Sequence, residues 1–203
     1  MSLSPQAERQ SIEQIMKMVN REVWIVTSAS VERRGGLVAT WVLQASLDPE
    51  RPVVVTGIAP NHYTSELIEK SQAFALHLIG ANQIPLAMNF AIGSGRDRDK
   101  LAGLETMTVK TGAPILRDCL AWLDCKLLNR YDTGDRVYYW ADVVAGGRTL
   151  ASRDNENPPL REQELFAAAT AEQKQALRES ALGYRVAKRS GRAPCGLISG
   201  AGI

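Results

Sequence analysis

Residues 35–49 read Gly-Gly-Leu-Val-Ala-Thr-Trp-Val-Leu-Gln-Ala-Ser-Leu-Asp-Pro. This stretch of small and apolar residues runs into a Ser-Leu-Asp-Pro turn. A wholly apolar strand follows at 53–55, and then a short polar loop, Pro60-Asn61-His62-Tyr63-Thr64, opens a helix over 65–71. The next strand covers 74–79. The order sets a pliable backbone edge beside a hydroxyl-bearing helix start. A flat heteroaromatic ring with a phosphate tail needs both.

Outward from that stretch, residues 6–20 predict an amphipathic helix with Ile12, Ile15, Met16 and Val19 on one stripe. The β-branched run at 23–27 predicts a strand. Glu32 to Gly36 reads as a turn whose two glycines are free to take positive φ. Strands are expected at 37–46 and 53–57. Asn82 is placed to cap a helix containing Leu86, Ala87 and Phe90. Residues 92–100, polar and glycine-bearing, suggest a surface loop lying over something. Ile115-Leu116 leads into a strand at 120–129, a turn at 132–135 and a hairpin partner at 137–144. That last turn is too short for a parallel crossover, so the pattern predicts a small antiparallel barrel rather than a β-α-β sheet.

The 203 residues are enough for one buried core. A formal charge of +2 is too small to argue for nucleic acid or a membrane surface as partner. No apolar run reaches the roughly 18 residues that span a bilayer, and residues 1–10 lack the layout of a secretion signal. A cytoplasmic location is the expectation. Cys119, Cys125 and Cys195 are an odd set without C-x-x-C spacing, which argues against a disulfide framework and a structural zinc site. Cys125 lies in an apolar alternating run and reads as a small buried hydrophobe.

The chain divides into a barrel unit at 1–150 and a helical C-terminal extension at 151–203, expected to pack on the same domain. In the extension, 160–169 and 171–182 read as helices, and Thr170 with Gln173 has capping-box spacing. Residues 185–192 are basic. They are either a solvated tail or a phosphate or pyridine-nucleotide contact at a dimer seam.

The two histidines, His62 and His77, exclude H-E-x-x-H and any three-histidine zinc site. The P-loop, a complete dinucleotide glycine fingerprint and G-x-S-x-G are also missing. Hard chemistry therefore falls to a bound organic cofactor.

In motif order the chain resembles the flavin reductase-like family of FMN-binding split barrels. The matching pieces are Trp24-Ile25-Val26-Thr27, Gly36-Leu37-Val38-Ala39-Thr40, Gln44-Ala45-Ser46-Leu47-Asp48-Pro49, Thr64 with Ile68, and Phe74-Ala75-Leu76-His77-Leu78. Beyond these come Asp99-Lys100-Leu101, Gly112-Ala113-Pro114-Ile115-Leu116, Leu123-Asp124-Cys125 and Gly134-Asp135. They span about residues 20–145 in the family's order. The resemblance implies a mainly β fold: an antiparallel split β-barrel with peripheral helices. It also implies FMN, with FAD possible, NAD(P)H as co-substrate, and a homodimer with the site at the subunit seam.

The residues agree with that implication and also allow plainer ones. The main chain at Val38, Ala39, Thr40 and at Gln44, Ala45, Ser46 can serve the carbonyl and nitrogen edge of an isoalloxazine, or simply pack a barrel strand. Thr64 and Asn61 can hold a phosphate at the positive end of a helix, or Thr64 can be an ordinary cap. Lys100 resembles the family lysine after the loop that covers the flavin, or is a solvated charge. Arg136 stands where many relatives carry a histidine after Gly-Asp. Arginine cannot exchange protons near pH 7, but it can hold an anionic phosphate or a reduced flavin, so Arg136 is the candidate catalytic residue. Three functions follow: NAD(P)H-dependent reduction of flavin or of another acceptor; a non-catalytic electron-transfer module serving a partner oxygenase or diiron protein; or a barrel holding haem or no cofactor.

Overall fold

The computed structural model describes residues 4–149 and 157–179. Seven strands form one antiparallel sheet: β1 (Trp24–Ala29), β2 (Arg34–Ala39), β3 (Val42–Gln44), β4 (Val53–Ile58), β5 (Ala73–Leu78), β8 (Ala121–Asp132) and β9 (Val137–Arg148). Their order across the sheet is β2-β1-β5-β8-β9-β4-β3. Two short strands, β6 (Thr106–Met107) and β7 (Ile115–Leu116), pair separately. The helices are α1 (Pro5–Lys17), α2 (Tyr63–Ser71), α3 (Ile84–Ala91) and α4 (Glu162–Ala168), with a further helical stretch at 171–179. The sheet curls until β2 and β4 approach each other, giving the small antiparallel half-barrel that the strand spacing predicts.

Alternation along the strands divides the core. Val26, Leu37, Val54, Ile58, Phe74, Leu76 and Tyr139 fill the barrel interior. Ile25 points the other way and joins Phe90, Leu101, Leu116 and Cys119 under α3. β1 is therefore covered on both faces, which is why Ile25, Val26, Thr27 and Ser28 are buried in succession without alternation. Cys125 is buried in the barrel interior as expected, and burial pushes its thiol well above the ordinary range, followed by the effect of Asp124.

Three local expectations need correction. Gly35 and Gly36 are not a positive-φ turn; both lie within β2. Small size, not backbone freedom, is what Gly36 supplies. A Cβ there would sit 2.7 Å from the Phe90 ring and 2.9 Å from the Val26 carbonyl. The strand expected over 37–46 is broken at Thr40–Trp41, where the chain leaves one sheet edge and enters the other as β3. The amphipathic helix expected near the start of the chain is present as α1. It is capped by Ser4, but none of its residues is buried, and Ile12, Ile15 and Met16 are each more than half exposed. Asn82 lies in a 3-10 turn, Ala81–Gln83, and does not cap α3. The Asp132–Asp135 turn forms as read, with Gly134 at φ 92°.

The extension is tied into the sheet. Leu160 accepts from the Val23 amide at 2.8 Å and donates to the Ile79 carbonyl at 2.8 Å. Leu160, Leu165 and Ala169 are buried with the α3 cluster. Thr170 and Gln173 cap each other's amides, completing the box read from their spacing. The basic run at 185–192, Cys195 and the end of the second extension helix lie outside the described residues.

Candidate functional site

β2 is one edge of the sheet, so its outer main-chain groups face no ladder neighbour. The gap between β2 and β4 holds a recess of about 110 Å³ bounded by Val38, Ala39 and Thr40 on one side and Gly57 and Ile58 on the other. Trp41, His62 and Arg136 complete it. The Arg136 guanidinium lies 5.0 Å from the centre of the Trp41 ring, and its Nη1 donates to the Asp135 carbonyl at 2.7 Å. A larger cleft of about 460 Å³ adjoins the recess through Leu37, Val38 and His62. It runs past Asn61, Tyr63 and Thr64 to Arg96 and Lys100, and Ala176 and Glu179 of the 171–179 helix border its far side.

Helix α2 begins two residues earlier than the sequence suggests. His62 is its N-cap and makes no side-chain capping bond; Thr64 is buried inside the first turn, not before it. The positive end of this nine-residue helix therefore opens at Asn61–Thr64, beside the cleft. Asn61 also accepts from Arg96 Nη1 through its carbonyl, at 3.1 Å. Arg96 pairs with Glu66 and lies 5.5 Å above the Tyr63 ring.

Lys100 is buried, and its ammonium donates to the Phe90 carbonyl at 2.7 Å. Burial, and then Arg98, lower its pKa to about 8. His62 is held near 4, first by burial and then by Lys100, Arg136 and Arg96. The imidazole is therefore neutral at pH 7, while the surrounding cations carry the site's positive charge. Among the charged groups bordering the cleft itself, Glu179 is the acidic one.

The structure brings together Val38, Ala39, Thr40, Asn61, Thr64, Lys100 and Arg136 around the two joined cavities. It places Gln44, Ala45 and Ser46 elsewhere, at the end of β3. The Ala45 amide is bonded to the Val53 carbonyl at 2.7 Å, Gln44 Nε2 donates to the Ser46 carbonyl, and Ser46 Oγ donates to the Arg51 carbonyl. Sequence reasoning missed Tyr63, Arg96 and Glu179. Arg96 lay in a loop read only as covering something, and nothing in the order of residues signalled that 171–179 folds back to the cleft.

His77, in contrast, is structural. Nδ1 donates to the Ile25 carbonyl at 2.9 Å, and Nε2 accepts from the Leu116 amide at 3.0 Å. Asp124 is likewise committed, accepting from the Lys110 and Thr111 amides and from the Thr111 hydroxyl.

The donor set fits a planar ring with an anionic tail. An edge strand of small residues borders the narrow recess, and a helix start, a buried hydroxyl, Arg96 and Lys100 border the wider cleft.

Comparison with known proteins agrees with this geometry. The flavin reductase like domain matches residues 16–167. Diflavin flavoprotein A 1 of Synechocystis sp. is 27% identical over 136 residues, which are 66% of this chain and 23% of that protein. The chain thus spans about a quarter of that relative's length. The FMN-binding protein from Thermus thermophilus superposes with a TM-score of 0.62 and 26% identity, over 70% of this chain and 78% of that one. The NADH:FAD oxidoreductase of Streptomyces globisporus C-1027 gives 0.66 at 20% identity, over 79% and 92%, a likeness of fold. Among the described residues no helix is long and apolar enough to cross a membrane.

Proposed function

The chain belongs to the flavin reductase-like family, and on that premise we propose that it is an FMN-binding oxidoreductase drawing electrons from NAD(P)H. The observation that carries this reading is the pair of joined cavities: a narrow recess along the free edge of β2, and a cation-lined cleft at the start of α2. The ring lies in the recess and the phosphate in the cleft. A bound flavin would supply the redox chemistry, accepting hydride at N5.

The chain's own residues bind and orient. The main chain at Val38–Thr40 meets the polar edge of the ring. Thr64, the α2 amides, Arg96 and Lys100 hold the phosphate. Arg136 sets a permanent cation at the ring end. His62, uncharged, lies where the two cavities meet and contributes a hydrogen-bonding group without adding charge.

Titration of the purified protein with FMN and riboflavin tests the binding reading. FMN should bind with flavin-fluorescence quenching and riboflavin more weakly, because it lacks the phosphate. Absence of any FMN binding refutes the proposal. Steady-state oxidation of NADH with added FMN then tests the activity.

A second reading is favoured by one observation: the matching segment is only 23% of a longer curated relative. Such a segment can serve as a flavin module passing electrons to a partner oxygenase or diiron protein. In that case FMN binds but the protein alone does not turn over NADH. The proposal also includes a cytoplasmic homodimer, for which light scattering is the measurement.

A further inference from the structure

Tyr63 lines the phosphate end of the cleft and backs the partition, made by Gly95 and Arg96, between two cavities. On its far side, a third cavity of about 530 Å³ lies between the β1–β2 turn and the loop at 95–99. Gly95 and Arg96 border both that cavity and the cleft, whereas Tyr63 borders the cleft alone. The ring fills the space between Gly35 of β2 and Gly95 of the loop. A Cβ on Gly95 would meet Tyr63 Cδ1 at 2.9 Å, and one on Gly35 would meet the same atom at 3.2 Å. Neither backbone has room to spare against the ring. Arg96 lies over the ring at 5.5 Å and is fixed by Glu66 and the Asn61 carbonyl. Ala176 and Glu179 border the other side of the cleft, and the carboxylate there opposes a second phosphate.

Resting on the FMN reading above, we infer that the Tyr63–Arg96 wall makes the site selective for a flavin mononucleotide over a flavin dinucleotide. The two ligands share the ring, the ribityl chain and the first phosphate. The dinucleotide carries an adenosine monophosphate beyond that phosphate; toward the third cavity this extension meets Tyr63 and Arg96, and across the cleft it meets the Glu179 carboxylate. Without the ring, the space between Gly35 and Gly95 opens beside Arg96, and the adenylate half gains a place to lie. Specificity here comes from what blocks the larger ligand, not from a better contact with the smaller one.

Fluorescence titrations with FMN and with FAD test this on the full chain. The wild type should bind FMN at least about tenfold more tightly than FAD, a difference within reach of one steric block. Tyr63→Ala should bring the ratio down to about threefold or less, mainly by tighter FAD binding. Tyr63→Phe keeps the ring and should keep the ratio. Tyr63→Leu retains apolar filling should the alanine variant fail to fold, and should give an intermediate ratio. Equal wild-type affinity for the two flavins overturns the inference and leaves the FMN reading intact, as does a ratio unmoved in a folded Tyr63→Ala or Tyr63→Leu protein. If neither flavin binds the wild type, the proposed function falls, and the inference with it.

Discussion

His62 and His77 are the chain's only histidines, and both are held neutral for different reasons. His77 is sealed in the core, and burial lowers its pKa to about 4 despite the opposing hydrogen bond to Ile25. His62 reaches about 4 through burial and then the nearby cations. In both, the folded pKa lies below the ordinary 6.5, so the unfolded chain binds more protons in between. Stability from these groups is complete above about pH 6.5 and is lost as pH falls towards 4. For His77 alone the loss amounts to roughly 3 kcal/mol at full titration. Urea unfolding between pH 7.5 and 4.5 should show the slope, and His77→Gln should flatten it by up to one proton; identical slopes for the two proteins would refute the assignment. Arg136 is the second test at this scale. It faces the ring recess beside Trp41, where electron transfer into a ring places negative charge. Arg136→Ala should lower kcat for NADH oxidation by roughly 10- to 100-fold, with a smaller change in FMN affinity. Unchanged turnover would remove Arg136 from the site.

At the scale of elements, what the sequence made legible was what local chemistry dictates. The long β8–β9 hairpin, its Asp132–Asp135 turn, the α2 and α3 helices and the Thr170–Gln173 box were readable because each rests on near neighbours in the chain. Misreadings arose where a distant element decides. Gly35-Gly36 looks like a turn, since glycine pairs usually serve there, but its strand conformation is set by α3 lying across it. Gly36→Ala tests that account. The new methyl would meet Val26 backbone oxygen and the Phe90 ring together at under 3 Å, and the backbone atom cannot rotate away. A loss of about 1–3 kcal/mol is expected, seen as a lower denaturation midpoint. An unchanged midpoint would mean that α3 shifts without cost. The same limit hid half of the site. Val38–Thr40 could be picked out from residue size, but only the sheet order separates that edge from Ala45, whose amide is taken by Val53. Tyr63 and Arg96 come together through the fold of a loop that carries no periodic signal.

At the scale of the whole molecule, the outer face of β3, β4 and β9 argues for a second copy. Trp41 stacks on Tyr138 at 6.3 Å, and Tyr138 meets Trp140 at 6.5 Å. Leu43 is 66% exposed, on the strand paired to β4 opposite Val55, whose other neighbour is Trp140. Contiguous exposed apolar groups of this kind favour association. Trp41 also borders the ring recess beside Arg136, so a partner seated on this face would cover the ring end and exclude water from it. The α1 stripe of Ile12, Ile15 and Met16 is a competing apolar surface, on a helix with no buried residue, and it serves as the control. Light scattering should give twice the chain mass for the wild type and for Ile12→Lys/Ile15→Lys. Leu43→Asp/Trp140→Asp should give the monomer and weaken FMN binding by roughly tenfold, about 1.4 kcal/mol. A monomeric wild type would exclude the dimer. Dissociation by the α1 variant instead would move the interface to that helix and detach it from the flavin recess.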